Sequence, residues 1–81
     1  MFSQKIFSER IRALRVGAGM TQTRLAELLG VTRTQISDIE NNKTTTSLER
    51  VCRLADFFNC SLDYLTGRSD DPSPPNLTPQ P

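Results

Sequence analysis

Histidine and tryptophan are absent from this 81-residue chain. Without His there is no Ser-His-Asp triad, no Cys-His pair and no His-ligated metal. Two cysteines, Cys52 and Cys60, are too few to complete the ligand set of a structural zinc site. They are also too few for the disulfide framework of a small secreted domain, so reduced thiols in the cytoplasm are expected. No apolar run approaches the roughly 20 residues of a membrane span. The start, Met-Phe-Ser-Gln-Lys, lacks the apolar stretch of a secretory signal. All five prolines lie in the last ten residues, so none interrupts helices before them. No cofactor motif is present. Gly17-Ala18-Gly19 follows a helical stretch rather than a strand, unlike a nucleotide-binding loop.

What the chain does have is a nearly balanced charge that is unevenly spread. Ten Lys and Arg face nine Asp and Glu, for a net charge of +1. Residues 1–35 carry six basic side chains (Lys5, Arg10, Arg12, Arg15, Arg24 and Arg33) against Glu9 and Glu27, a net of +4. Residues 36–81 carry a net of −3. A nearly neutral protein can therefore still present one basic face. Residues 1–67 suffice for one small domain and not for two. Residues 68–81, rich in Ser, Asp, Pro and Asn, read as a disordered tail.

The periodicity is helical throughout, with no strand alternation and no repeat. Phe7, Ile11, Leu14 and Ala18 form one helical stripe, ended by Gly17-Ala18-Gly19. Residues 1–6 can add an arm or a further turn. Thr21 is a good N-cap for a second helix with Leu25, Leu28 and Leu29 on one face. Gly30 stops it. Thr32 with Gln35 then fits a Thr-x-x-Gln capping box, so a third helix with Ile36 and Ile39 begins almost at once. Thr46 with Glu49 reads as a second capping box. The fourth helix it opens places Leu48, Val51, Cys52, Ala55 and Phe58 on one stripe. On that pattern Cys52 is a core residue, while Cys60, beside the last helix, is the more exposed and the candidate for redox chemistry. Ser61 caps a short fifth helix closed by Gly67. The expected architecture is all-α, five short helices around one core.

The join between the second and third helices carries the functional signal. Leu25, Ala26, Leu29, Gly30, Val31, Ile36 and Ile39 stand at the spacing of a helix-turn-helix. Ala26 must be small where the next helix crosses. Gly30 supplies a positive φ for a tight turn. The apolar residues pin the two helices at a steep angle.

The run Met20-Thr-Gln-Thr-Arg-Leu-Ala-Glu-Leu-Leu-Gly-Val-Thr-Arg-Thr-Gln-Ile-Ser-Asp-Ile-Glu-Asn42 resembles the lambda-repressor-like helix-turn-helix family of Xre/Cro type. Glu9–Arg15 resembles that family's first helix, and Ser47–Val51 and Ser61–Gly67 its fourth and fifth. The resemblance spans roughly Phe7 to Gly67. It implies a five-helix DNA-binding domain that regulates transcription, most often as a repressor, in bacteria, phages or mobile elements.

In such domains the third helix lies in the major groove. Arg33, Thr34, Ser37 and Asp38 lie on its outer face. The family's base-reading positions map onto Arg33, Thr34 and Asp38, with Ser37 beside them. Arg33 can pair bidentately with guanine O6 and N7, and Thr34 can touch a thymine methyl. Asp38 is repelled by phosphates unless it accepts from cytosine N4; the alternative is a solvated charge, or one that orients Arg33. Gln22, opening the second helix with Thr21 and Arg24, lies where a helix N-terminus meets phosphate. Arg24 fits a solvated face equally well. The resemblance adds Asn41, Lys43 and Thr44 as a second phosphate grip. It also implies that Arg15 pairs with Glu40 as a structural bridge rather than touching DNA.

Domains of this size gain specificity by pairing on a near-palindrome, with half-sites about 34 Å apart. The candidate homodimer surface is Leu62, Tyr64 and Leu65 with Phe57; the alternative is simple closure of the core by Leu62 and Leu65. No small-molecule ligand, cofactor, metal or membrane is expected as a partner. The competing reading is a protein-interaction module of the same fold, such as an antitoxin that binds a toxin. Arg33, Gln22 and Lys43 favour DNA, whereas Asp38 and the low net charge fit the alternative. An enzyme has no support in these residues.

Overall fold

Each helix of the chain carries its own start signal. In the computed structural model, which describes residues 2–74, Ser3, Thr21, Thr32, Ser47 and Ser61 are the five N-caps. Each hydroxyl accepts from the amide three residues on, satisfying a donor that the helix itself leaves open. The helices are α1 (Gln4–Gly17), α2 (Gln22–Leu29), α3 (Arg33–Glu40), α4 (Leu48–Phe58) and α5 (Leu62–Thr66). No strand occurs among the described residues, and the fold is all-α. Of the expected arm or further turn at residues 1–6, Gln4–Ile6 open α1 behind the Ser3 cap, and Met1 lies outside the described residues.

Stops are equally local. Gly30 adopts φ 71° and turns the chain from α2 into α3 within three residues, with Val31 N–H returning to Ala26 C=O at 3.0 Å. Thr32 and Gln35 form the capping box that starts α3. Gly67 is needed for a second reason. A Cβ there, at φ 83°, would lie 3.1 Å from Ser3 Cβ and 3.2 Å from Ile6 Cβ. The missing side chain lets the end of α5 sit against the start of α1, where Ser3 N–H donates to Thr66 C=O at 2.9 Å.

The core gathers one face of every helix: Phe7 and Ile11 from α1, Leu25, Ala26 and Leu29 from α2, Ile36 and Ile39 from α3, and Val51, Leu54 and Ala55 from α4, with Leu65 from α5. Three features differ from the periodicity reading. Helix α4 buries Leu54, which is 1% exposed, while Leu48 stands 74% exposed. Leu48 shares the helical face of Val51, but it lies in the first turn, beyond the layer the other helices cover. The cap of α4 is Ser47, one residue later than expected, so Thr46 and Glu49 do not form a box. Ala18 is likewise the exposed C-cap of α1 rather than part of its buried stripe.

The cysteines exchange their expected environments. Cys60 is buried and Cys52 half-buried. Asn59 in the left-handed conformation folds Cys60 back so that its N–H reaches Ala55 C=O at 2.9 Å, and its side chain enters the core. Burial pushes the Cys60 thiol above its ordinary pKa.

Hydrogen bonding continues past the expected boundary at Gly67. Arg68 and Ser69 N–H both reach Asp63 C=O, and Ser61 N–H reaches Pro72 C=O. Arg10 from α1 donates to the carbonyls of Tyr64 and Ser69 and to Asp70, with its guanidinium 4.0 Å above the Tyr64 ring centre. Residues 68–72 therefore form a strap on α5. The rest of the expected tail, residues 75–81, lies outside the described residues.

Two outcomes follow from this packing. Leu54→Ala should cost about 2–5 kcal/mol in urea unfolding, and Leu48→Ala less than about 0.5 kcal/mol. Iodoacetamide at mildly alkaline pH should label Cys52 before Cys60 in peptide mass spectra, and denaturant should abolish the difference.

Candidate nucleic-acid interface

The site is built on the short α2–α3 join. Helix α3 buries Ile36 and Ile39, which fixes its rotation and leaves Arg33 and Thr34 exposed, with Ser37 and Asp38 half-exposed beside them. Ser37 Oγ accepts from Asn41 Nδ2 at 3.2 Å. The carbonyl of Asp38 accepts from Lys43 N–H at 2.9 Å. Past α3, Asn42 takes a left-handed φ of 61°, and Gln4 from α1 donates to its carbonyl at 3.1 Å. The exposed stretch Asn41–Thr44 is thereby tied to both α3 and α1.

Behind this face lies an ion pair. Arg15 Nε is 2.6 Å from Glu40 Oε2, and Arg15 Nη2 donates to Glu40 Oε1 at 3.0 Å. Arg15 Nη1 donates to Met20 C=O at 2.8 Å. The two side chains are 13% and 2% exposed. The Glu40 hydrogen bond holds the Arg15 guanidinium further above its usual pKa, a rise that burial only partly opposes. Together these contacts join α1, the α1–α2 turn and the last residue of α3. Among the described residues every buried side-chain nitrogen and oxygen has a partner.

Sequence reasoning missed the side-chain role of Gln22. Its Nε2 donates to Glu40 Oε1 at 3.1 Å, and its Oε1 accepts from Arg33 Nη1 at 3.0 Å. The group oriented against Arg33 is therefore Gln22 and not Asp38. No spacing rule joins residues 22, 33 and 40; only the helix crossing does. Thr21 uses its hydroxyl to cap α2, and Arg24 pairs with Glu27 at 3.3 Å on the open surface. Thr44 Oγ1 donates to Thr45 C=O at 3.2 Å, and Lys43 is exposed.

The expected pairing surface separates into two parts. Phe57 and Leu62 are 50% and 39% exposed. Leu65 is fully buried and closes the core, so it has no side chain to offer a second copy. Tyr64 is half-buried beneath Arg10. A short helix has one core face, and Leu65 occupies it.

The family model for helix-turn-helix proteins matches residues 11–65. The chain belongs to the helix-turn-helix family, of lambda-repressor-like, Xre type. This is a class of DNA-binding transcription regulators, not of enzymes. The chain is 30% identical over 69 residues to the uncharacterized HTH-type transcriptional regulator YobD of Bacillus subtilis, covering 85% of this chain. It spans 62% of the length of YobD, less than two thirds. Among solved structures it is similar to the P22 c2 repressor protein in complex with a synthetic operator (TM-score 0.73, 33% identity), covering 79% of this chain and 97% of that one. It is also similar to the restriction-modification controller protein C.AhdI of Aeromonas hydrophila (TM-score 0.67, 29% identity), covering 76% of this chain and 94% of that one. No described helix is long and apolar enough to cross a membrane.

Removing one partner of a buried pair leaves the other charge uncompensated. Arg15→Ala should therefore lower stability by about 3–5 kcal/mol, read from denaturant midpoints. An Arg15→Ala protein that melts like the wild type but no longer binds DNA would instead make Arg15 a surface contact.

Proposed function

We propose that the chain binds double-stranded DNA at a near-palindromic operator, as a homodimer in the cytoplasm, and represses transcription there. The observation that carries this reading is Arg33. It stands exposed on the first turn of α3, on the helix that such folds lay in the major groove, and one edge of its guanidinium is already held. The remaining fork matches guanine O6 and N7. Thr34, Ser37 and Asp38 continue the same face: Thr34 against a thymine methyl, and Asp38 as acceptor from cytosine N4.

Phosphates flank that reading. The N-terminus of α2, with Thr21, Gln22 and Arg24, offers free amides and the positive end of a dipole to one strand. Asn41, Lys43 and Thr44, tied down through Asn42, grip the other. The cationic groups are few, so each protomer contributes a shallow salt dependence. Phe57 and Leu62 form the apolar contact between protomers; Tyr64 adds its exposed edge.

Selection from a random double-stranded DNA pool at physiological salt tests this directly. A near-palindrome with half-sites about 34 Å apart is the expected product. Salt-sensitive retention without sequence enrichment would overturn it and favour a protein partner instead. Arg33→Ala should relax one base position at a cost of about 1–3 kcal/mol. Lys43→Ala should weaken all sequences alike and reduce the salt slope by about 1 in a titration series.

A further inference from the structure

A cavity of about 350 Å³ opens between α2 and α4. Two triplets at helical spacing line it: Leu25, Leu28 and Leu29 from α2, and Arg53, Asp56 and Phe57 from α4. Leu25 and Leu29 are buried, as is Leu54 of α4, and these three make an apolar floor. Leu28 is half-buried and Phe57 exposed, and they make the walls. The Phe57 ring is braced edge-on by Phe58, with 5.0 Å between ring centres.

The way α2 ends fixes a charge at the rim. Thr32 N–H, the amide that would return to Leu28 C=O in a continuing helix, donates instead to Gln35 Oε1 at 2.8 Å. Arg53 Nη2 takes up the orphaned carbonyl at 3.0 Å. The guanidinium thus reaches from α4 to α2. Its Nε and Nη1 donate to nothing among the described residues. Asp56 stands exposed one turn further along α4. Neither Arg53 nor Asp56 enters an ion pair among the described residues.

We propose that this cavity binds a free α-amino acid with an apolar side chain. The side chain lies on the leucine floor against Phe57. The carboxylate accepts from Arg53, and the ammonium group donates to Asp56. Charge complementarity decides the class. An uncharged apolar molecule uses neither rim group. A simple carboxylate gains Arg53 but is repelled by Asp56, and a simple amine meets the reverse. A zwitterion satisfies both. The volume sits at the small end of ligand sites, roughly 300–1,000 Å³, and suits one amino acid. The sequence reading expected no small-molecule ligand, because the floor and rim come together only through the crossing of two helices. None of these residues lies on the α3 face, so the proposal stands apart from the reading of DNA. Phe57 is also the side chain placed between protomers, which makes a second copy the competing occupant.

The test titrates the whole isotope-labelled chain with four compounds and follows its amide resonances. Leucine carries all three features; isocaproate lacks the ammonium group, isoamylamine the carboxylate and glycine the side chain. Leucine should shift the amides of residues 25–29 and 53–57, with half-saturation on the order of 1 mM for so small a ligand. Each of the other three should bind about tenfold more weakly or worse. Asp56→Asn should bring leucine down to the affinity of isocaproate without weakening isocaproate. Arg53→Met should bring leucine down to the affinity of isoamylamine without weakening isoamylamine. Arg53 also caps α2, so Asp56→Asn, at an exposed position, keeps the test decisive if Arg53→Met does not fold.

No leucine response at these amides at roughly tenfold higher concentration would overturn the proposal. Equal binding of leucine and isocaproate, unmoved by Asp56→Asn, would overturn the amino-acid class. If the same amides shift on dilution of the chain alone and leucine adds nothing, Phe57 of a second copy fills the cavity and the proposal fails.

Discussion

The bidentate pair between Arg15 and Glu40 fixes the parts of this domain relative to one another. It ties the end of α1 to the end of α3, and through Met20 it holds the turn that leads into α2. Hydrophobic contact is non-directional and by itself tolerates small rotations of short helices. A buried fork of hydrogen bonds does not. Helix α3 has eight residues and only Ile36, Ile39 and Glu40 buried, so the pair supplies much of what sets its rotation. The outward direction of Arg33, Thr34, Ser37 and Asp38 follows from that rotation. The cost of burying two charges is offset because each of the three guanidinium nitrogens donates to an acceptor on the other helix or the turn.

Charge also has to be read after folding. Of the six basic residues among the first 35, Arg15 is committed to Glu40, Arg10 to the strap over α5, and Arg24 to a solvated pair with Glu27. Arg33 is anchored but exposed, and Lys5 and Arg12 are exposed. The basic excess of that half is thus thinner at the surface than in the sequence. A regulator with so few exposed cationic groups is poorly suited to bulk attraction to phosphate, and directed hydrogen bonds are the better source of discrimination.

Local chemistry was legible in the sequence, and depth was not. Gly30, the Thr32–Gln35 box and the Ser61 and Thr21 caps are each satisfied within a few residues, so the α2–α3 join is readable from the chain alone. Whether a residue on an apolar stripe is covered depends on how far neighbouring helices reach. Leu48 shares the face of Val51 and Ala55 yet stands exposed, whereas Leu54, off the stripe read from the sequence, is roofed. Cys60 was misplaced because its position follows from the left-handed Asn59, a conformation that Gly signals more clearly than Asn. Leu65 looked available for pairing because a five-residue helix shows too little periodicity to assign its core face. The Gln22 link joins the start of α2 to both ends of α3 and has no sequence signature at all.

The seam between the first and last helices has a consequence for how the chain acquires its structure. Ser3 bonds to Thr66, Gly67 is pressed against Ile6, and Arg10 reaches 59 residues along the chain to Ser69. These contacts close the longest loop in the domain, whose ordering entropy grows with the logarithm of its length. During synthesis the helix-turn-helix is complete in sequence well before α5 emerges, yet the partners of Ser3 and Arg10, at Thr66 and Ser69, have still to leave the ribosome. The unit therefore becomes fully folded only once residues through Asp70 have emerged, and the segment beyond Gly67 is what fastens it.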